Sequence, residues 1–173
     1  MNKSRSLYAI ALLGMAAVAA AADPVANAVR AASALAGCMK ALDTECTMQW
    51  LYTKQLEKQG FDLKTLRAEL NVSYENIRFA QGKTERLELG APGAPFSGDG
   101  RQYIFIPYQE RMNIQGQIAS QTAYFIGISE DVGTTWKFVD GIGFSEKNIR
   151  EIIPSYDGRG LPPRETDPAS ALP

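Results

Sequence analysis

The chain has no histidine, two cysteines and a scatter of carboxylates and tyrosines. Without histidine the commonest general base and the commonest metal ligand are missing. A Ser–His or Cys–His nucleophile therefore cannot be built. A zinc site would need both cysteines plus carboxylates, which is a poor ligand set, so neither a metal nor a cofactor is expected. Acid–base chemistry is left to carboxylates and tyrosines whose pKa values burial can shift. Tyr103, Tyr108, Tyr124, Glu110 and Asp140 are the residues available for it. Their ordinary roles compete: tyrosines pack in cores and on sheets, and acids face water.

Cys38 and Cys46 are separated by seven residues. That is not the Cys-x-x-Cys spacing of a redox-active pair. In an oxidising compartment an isolated pair forms a disulfide. Between them lies Ala41-Leu42-Asp43-Thr44, where Asp43 or Thr44 can cap a new helix. The bridge would then staple the end of one helix to the start of the next.

Residues 129–136, Ser-Glu-Asp-Val-Gly-Thr-Thr-Trp, follow the spacing Ser-x-Asp-x-Gly-x-Thr-Trp. Physically this is a hairpin device. The Asp131 carboxylate can accept N–H groups within the turn, Gly133 supplies a positive φ, and Trp136 packs back over the hairpin. Ser129 and Thr135 complete the pattern, which resembles the Asp-box repeated in sialidases and other propeller proteins. A propeller needs several four-stranded blades, and this chain has a single box. The expectation is a structural turn, with Asp131 kept ionised by its hydrogen bonds and so unsuited to acid catalysis.

The two ends bound the compartment. Lys3 and Arg5 precede an apolar run from Leu7 to Val18, followed by Ala19 to Ala22 and Asp23-Pro24. This is the layout of a secretory signal with cleavage between Ala22 and Asp23. The run is too short to span a bilayer, which takes about 20 apolar residues. Leu35-Ala36-Gly37-Cys38 matches a lipobox by letter. The polar residues Asp23, Asn27 and Arg30 separate it from the apolar run, so lipidation at Cys38 is the lesser reading. The expected domains are a signal at 1–22, one domain at 23–161 and a Pro-rich disordered tail at 162–173. Losing Lys3 and Arg5 takes the formal net charge from −1 to −3. A mildly acidic chain argues against nucleic acid and anionic membrane surfaces as partners. The place is the periplasm or the medium, with no membrane span in the mature form.

Stepping along the mature part, Pro24–Leu42 favours helix, with Val25, Val29, Ala32 and Leu35 on one stripe. Thr44–Gln59 reads as a second helix and Leu63–Leu70, capped by Asp62, as a third. Strands are expected at Ser73–Phe79, Arg86–Leu89, Gln102–Glu110, Gln117–Ser129 and Thr135–Asp140. Residues 90–100 form a long Gly/Pro loop, read as a floppy excursion more than as a lid. Pro107 marks a bulge or an edge, and Gln117–Ser129 reads as a buried middle strand. Ser145 caps a last short helix to Ile153. The fold class is α+β: N-terminal helices on a bent antiparallel sheet of about four to five strands, with a short C-terminal helix.

Ile106-Pro107, Met112, Tyr124 to Ser129, Thr135 to Gly141 and Ile149 to Pro154 form a wider pattern. It is similar to that of small, largely uncharacterised bacterial envelope proteins. The resemblance implies a cystatin-like or NTF2-like fold and no particular activity. Three functions compete. The first is a non-catalytic envelope domain that binds a protein partner or a small apolar ligand. The second is an NTF2-like enzyme working with carboxylates and tyrosines in an apolar pocket. The third is an inhibitor or immunity-type protein. A deep cavity would favour the enzyme, and an exposed apolar patch would favour partner binding. The face that Trp50, Tyr52 and Phe61 could fill is where the two diverge.

Overall fold

The computed structural model describes residues 23–158, apart from 55–56, 58–59 and 61. The signal segment with Ala22, the tail at 162–173 and Phe61 lie outside the described residues. Four helices and a five-stranded antiparallel sheet make an α+β fold among them. The helices are α1 (Pro24–Lys40), α2 (Thr44–Trp50), α3 (Leu63–Phe79) and α4 (Glu146–Ile152). The strands are β1 (Lys83–Leu89), β2 (Phe96–Gly98), β3 (Arg101–Ile114), β4 (Gln117–Ser129) and β5 (Lys137–Asp140). The order across the sheet is β1-β3-β4-β5, with β2 pairing β3 beyond the end of β1.

Helix α1 starts where chemistry tells it to. The Asp23 carboxylate accepts from the Val25 N–H at 2.9 Å, and Pro24 takes a first-turn position where its missing N–H costs nothing. Ala28, Ala31, Ala32 and Leu35 form the buried stripe. That stripe lies on one face of the sheet, against Ile104, Ile106, Phe125, Trp136 and Phe138. Asp43 caps α2 by accepting from the Cys46 N–H at 2.9 Å. Cys38 and Cys46 are disulfide-bonded across this corner, their Cα atoms 5.4 Å apart. Thiol counting on unreduced, unfolded protein should find no free thiol. Replacing both cysteines with alanine should cost about 2–3 kcal/mol in a denaturant titration, the loop-closure value for so short a loop.

Three elements depart from the sequence reading. Ser73–Phe79 is not a strand but the second half of α3, which runs unbroken to Phe79. Leu63, Leu66, Leu70, Tyr74 and Ile77 make one helical stripe of buried and half-buried residues, and that period wins over the short alternation Val72, Tyr74. Helix α2 stops at Trp50, because Leu51 forms a parallel bridge with Phe138 and the Tyr52 N–H donates to the Phe138 carbonyl at 2.7 Å. The sheet captures the chain that propensity would have kept helical. The Gly/Pro segment is tied down rather than floppy. The Gly90 N–H donates to the Pro107 carbonyl and the Gly93 N–H to the Phe105 carbonyl, both at 2.8 Å, and β2 follows.

Those bonds also explain Pro107, which sits inside β3 between β1 and β4. In an extended strand a residue's N–H and C=O point to the same side. The Pro107 carbonyl points to the strap at Gly90, so its absent N–H would point there too, and no bond to β4 is lost. Strand β4 is likewise only partly a middle strand. Its second half, from Ala123, is buried, whereas Gln117–Thr122 is exposed, because β5 pairs only with Phe125–Ile128.

Helix α4 takes the opposite face from α1. Ser145 and Asn148 form a capping box at its start. Its Ile149 and Ile152, with Ile153 and Tyr156, pack on Tyr103, Phe105, Tyr124, Ile126 and Ile128. Trp50 packs at the margin of the α1 core and Tyr52 within the α4 core. Both faces of the sheet are thus covered around Ile104–Ile106 and Ala123–Ile128, and the hairpin half at Gln109, Arg111 and Gln117–Thr122 stays exposed.

Candidate functional site

The alternation of β3 decides which chemistry-bearing residues meet. Tyr108 and Glu110 point to the α1 face, and Tyr103 points to the α4 face. Tyr124 also lies on the α4 side. The sheet therefore divides the five carboxylate and tyrosine candidates: Tyr108, Glu110 and Asp140 come together, and Tyr103 and Tyr124 do not join them. Tyr103 stacks on Phe96 with centroids 5.5 Å apart, and Tyr124 meets Phe105 edge-on at 5.7 Å.

In the cluster the Tyr108 hydroxyl donates to Asp140 Oδ1 at 2.9 Å, and the Ile142 N–H donates to the same oxygen at 3.1 Å. Burial pushes the Asp140 carboxyl above the usual carboxylate range; these two hydrogen bonds oppose the rise, and the charge of Glu110 adds to it. Burial, then the Asp140 charge, pushes Tyr108 far up as well, so its hydroxyl stays a neutral donor. Glu110 is buried and accepts from Thr84 Oγ1 at 3.1 Å and Gln121 Nε2 at 2.6 Å. The Tyr74 and Thr47 hydroxyls, from α3 and α2, are 3.1 Å apart over the same side. Thr84, Gln121, Tyr74 and Thr47 were not singled out from the sequence. Only Tyr74 had a signal, its place on the helical stripe from Leu63 to Ile77.

This arrangement can hold a proton and orient a tyrosine. Its groups are turned toward one another, however. Two surface grooves bounded by described residues lie elsewhere. One, of about 590 Å³, lies between the α1–α2 corner and α3. The other, of about 550 Å³, lies between α1 and β1. Neither is lined by Tyr108, Glu110 or Asp140. Among the described residues no group of three or more Cys, Asp or Glu comes together to hold a metal ion.

Asp140 makes a pH prediction with a definite sign. The folded protein holds this proton to a higher pH than the unfolded chain, where Asp titrates near ~3.9. Its contribution is fully present below that value and is lost as pH rises through the raised folded value. Asp140→Asn keeps an acceptor for Tyr108 and removes the charge. The melting temperature of the variant relative to wild type should therefore climb as pH rises above about 4. A difference that falls over this range would mean that Asp140 is stabilised as the carboxylate.

The hairpin at 129–136 is a second cluster. Asp131 Oδ1 accepts from the Thr135 N–H at 2.8 Å and from Ser129 Oγ at 2.9 Å, and Oδ2 accepts from Thr135 Oγ1 at 2.7 Å. The Thr135 bonds come first in holding Asp131 below the usual carboxylate range. The Gly133 N–H donates to Ser129 Oγ at 2.8 Å, and Trp136 Nε1 donates to the Gly133 carbonyl at 3.1 Å. Gly133 has φ +83°, and a Cβ there would come within 2.5 Å of Pro24. Glycine is thus needed both for the turn and for the seat of α1, whose Asn27 Nδ2 donates to the Gly133 carbonyl at 3.1 Å. Beside the hairpin, Glu130 accepts from the Tyr52 hydroxyl at 2.9 Å and pairs with Lys54 and Arg101. Burial first, then the bond to Glu130, pushes Tyr52 up to about 12. No family model, curated protein or solved structure matches the chain.

Proposed function

We propose that the chain is an exported, non-catalytic domain of the periplasm or the medium that acts through its outer surface on a protein partner. The observation that carries this reading is that the apolar part of the sheet, around the first half of β3 and the second half of β4, is packed on both faces, while the open half at Gln109, Arg111 and Gln117–Thr122 is mostly polar. The stripe of α1 fills one side, and Ile149, Ile152, Ile153 and Tyr156 fill the other. The apolar cup that an NTF2-like enzyme would use, or that a small apolar ligand would enter, is occupied by the protein's own side chains. Helix α3 meanwhile turns Val72 and Phe79 to water, 58 % and 91 % exposed. They are seven residues apart, hence on one side of the helix, with Glu75 and Asn76 between them, and this is the side on which we place the contact. The disulfide supports an oxidising compartment. No helix among the described residues is long and apolar enough to cross a membrane.

The competing enzyme reading is favoured by one observation, the Tyr108–Asp140 pair with its raised carboxyl. A photo-reactive residue at Phe79, and a control at Lys147, separates the two in living cells. The expected result is a discrete cross-linked species from position 79 and none from 147. The surface reading falls if neither position gives an adduct while the purified wild type, and not Asp140→Asn, retains a small molecule in native mass spectrometry.

A further inference from the structure

Strand β4 leaves half of its outer edge without a partner. The Tyr124 carbonyl accepts from the Gly141 N–H at 2.9 Å on the β5 side. Stepping back by twos, Thr122, Ser120 and Ile118 turn their N–H and C=O groups to that same side. The β5 pairing reaches only Phe125–Ile128, and no other described strand lies along Gln117–Ala123 except β3. Folded proteins guard such edges with charge, proline or bulges, because a bare edge is a template for another strand. This edge reads Gln-Ile-Ala-Ser-Gln-Thr-Ala and has none of them.

We propose that Gln117–Ala123 is the interface of a symmetric dimer, in which β4 pairs antiparallel with β4 of a second copy about a two-fold axis at Ser120. The register follows from the outward groups. Ser120 faces Ser120 of the partner subunit, and Ile118 faces Thr122 of the partner subunit, so every outward N–H meets an outward carbonyl. The absence of charge fits a second copy as the occupant: Gln117–Ala123 meets its own copy without like-charge repulsion within the paired strands. The exposed apolar residues agree. Ile118, 45 % exposed, lies on this edge, and Ile142, also 45 % exposed, follows Gly141 at the point where β5 leaves β4. In the dimer the partner's two-residue hairpin tip, Gln115-Gly116, arrives beside that point. The paired stretch is short compared with the ~1,600 Å² of a standard interface, so association depends on protein concentration.

The test uses the oxidised mature chain in sedimentation velocity over a concentration series. Wild type is expected to move from monomer to dimer. Ser120→Lys and Ser120→Glu place like charges opposite each other across the axis, and each should weaken association about fivefold or more. An equimolar mixture of the two should recover it, because Lys then faces Glu. Residue 120 is exposed, and melting curves check that both variants fold. On wild type alone, the amides of Ile118, Ser120 and Thr122 should gain hydrogen-exchange protection as concentration rises. Those of Ala119 and Gln121, already turned toward β3, should not. The proposal is overturned if wild type stays monomeric throughout, if both charged variants dimerise as tightly as wild type, or if the mixture recovers nothing. A monomer whose edge takes up an unrelated strand peptide overturns it too, by giving the edge a different occupant.

Discussion

Trp136→Ala is expected to destabilise the fold by about 3–5 kcal/mol, the cost of emptying a buried tryptophan site. Trp136 is 2 % exposed and belongs to the core under α1. It also reaches a place that only glycine can leave open: a Cβ at Gly127 would lie 3.2 Å from the indole, 3.1 Å from Phe138 and 2.7 Å from Ile104. Those three side chains therefore close over bare backbone, and removing the largest leaves a hole they cannot collapse into. The loss also frees the Gly133 carbonyl from its indole donor. Asp131→Ala, in the same hairpin, should cost nearer the low end of 1–3 kcal/mol, because Asp131 and Thr135 are exposed and water can replace the lost bonds. Guanidinium titration of both variants is the measurement. Whatever partner is found, the folded fraction should bind it as wild type does. A variant that keeps its stability and loses binding would make the hairpin the functional site.

Leu35→Ala carries the second large effect, about 2–5 kcal/mol. Leu35 is fully buried and is the largest buried side chain of α1, whose other buried residues are alanines and Cys38, with Val25, Val29 and Met39 partly buried beside them. The rest of α1 can approach the sheet closely because alanines are small, and so cannot fill what Leu35 vacates. The substitution also opens the covered face. An apolar dye that ignores wild type should bind the variant below its melting temperature. A loss under ~1 kcal/mol would mean that α1 rests loosely on the sheet, and the argument from closed faces would go with it.

Where local chemistry is strong, the sequence reads well. Asp43, Asp62 and Ser145 each announce a helix start, and each is observed as a cap. Strand β4 runs from Gln117 to Ser129, as its alternation predicts. The misreadings fall where tertiary contacts overrule local preference. Thr44–Gln59 breaks at Trp50 because Phe138, far along the chain, offers a strand partner to Leu51. Residues 90–95 look like a free loop because the carbonyls that hold them, on Phe105 and Pro107, are invisible to composition. The meeting of Tyr108, Glu110 and Asp140 was only half legible. Alternation puts Tyr108 and Glu110 on one side, but their junction with Asp140 depends on how β5 registers against β4. The placing of α4 opposite α1 has no local signature at all.

The small stripe of α1 also bears on the order of events as the chain is made. The β3–β4 hairpin is short-range, from Ile114↔Gln117 at its tip to Gln102↔Ser129 at its base. Helix α1 closes on partners far downstream, and the Asn27–Gly133 bond spans 106 residues. A chain synthesised from its N-terminus thus exposes α1 while everything it will cover is still missing. Loop closure over such a span comes late and slowly. A helix that must wait in water is a liability in proportion to its apolar area. Ala28, Ala31 and Ala32 keep that area low, and Leu35, with Val25, Val29 and Met39 at the margin, supplies the grip once the sheet arrives.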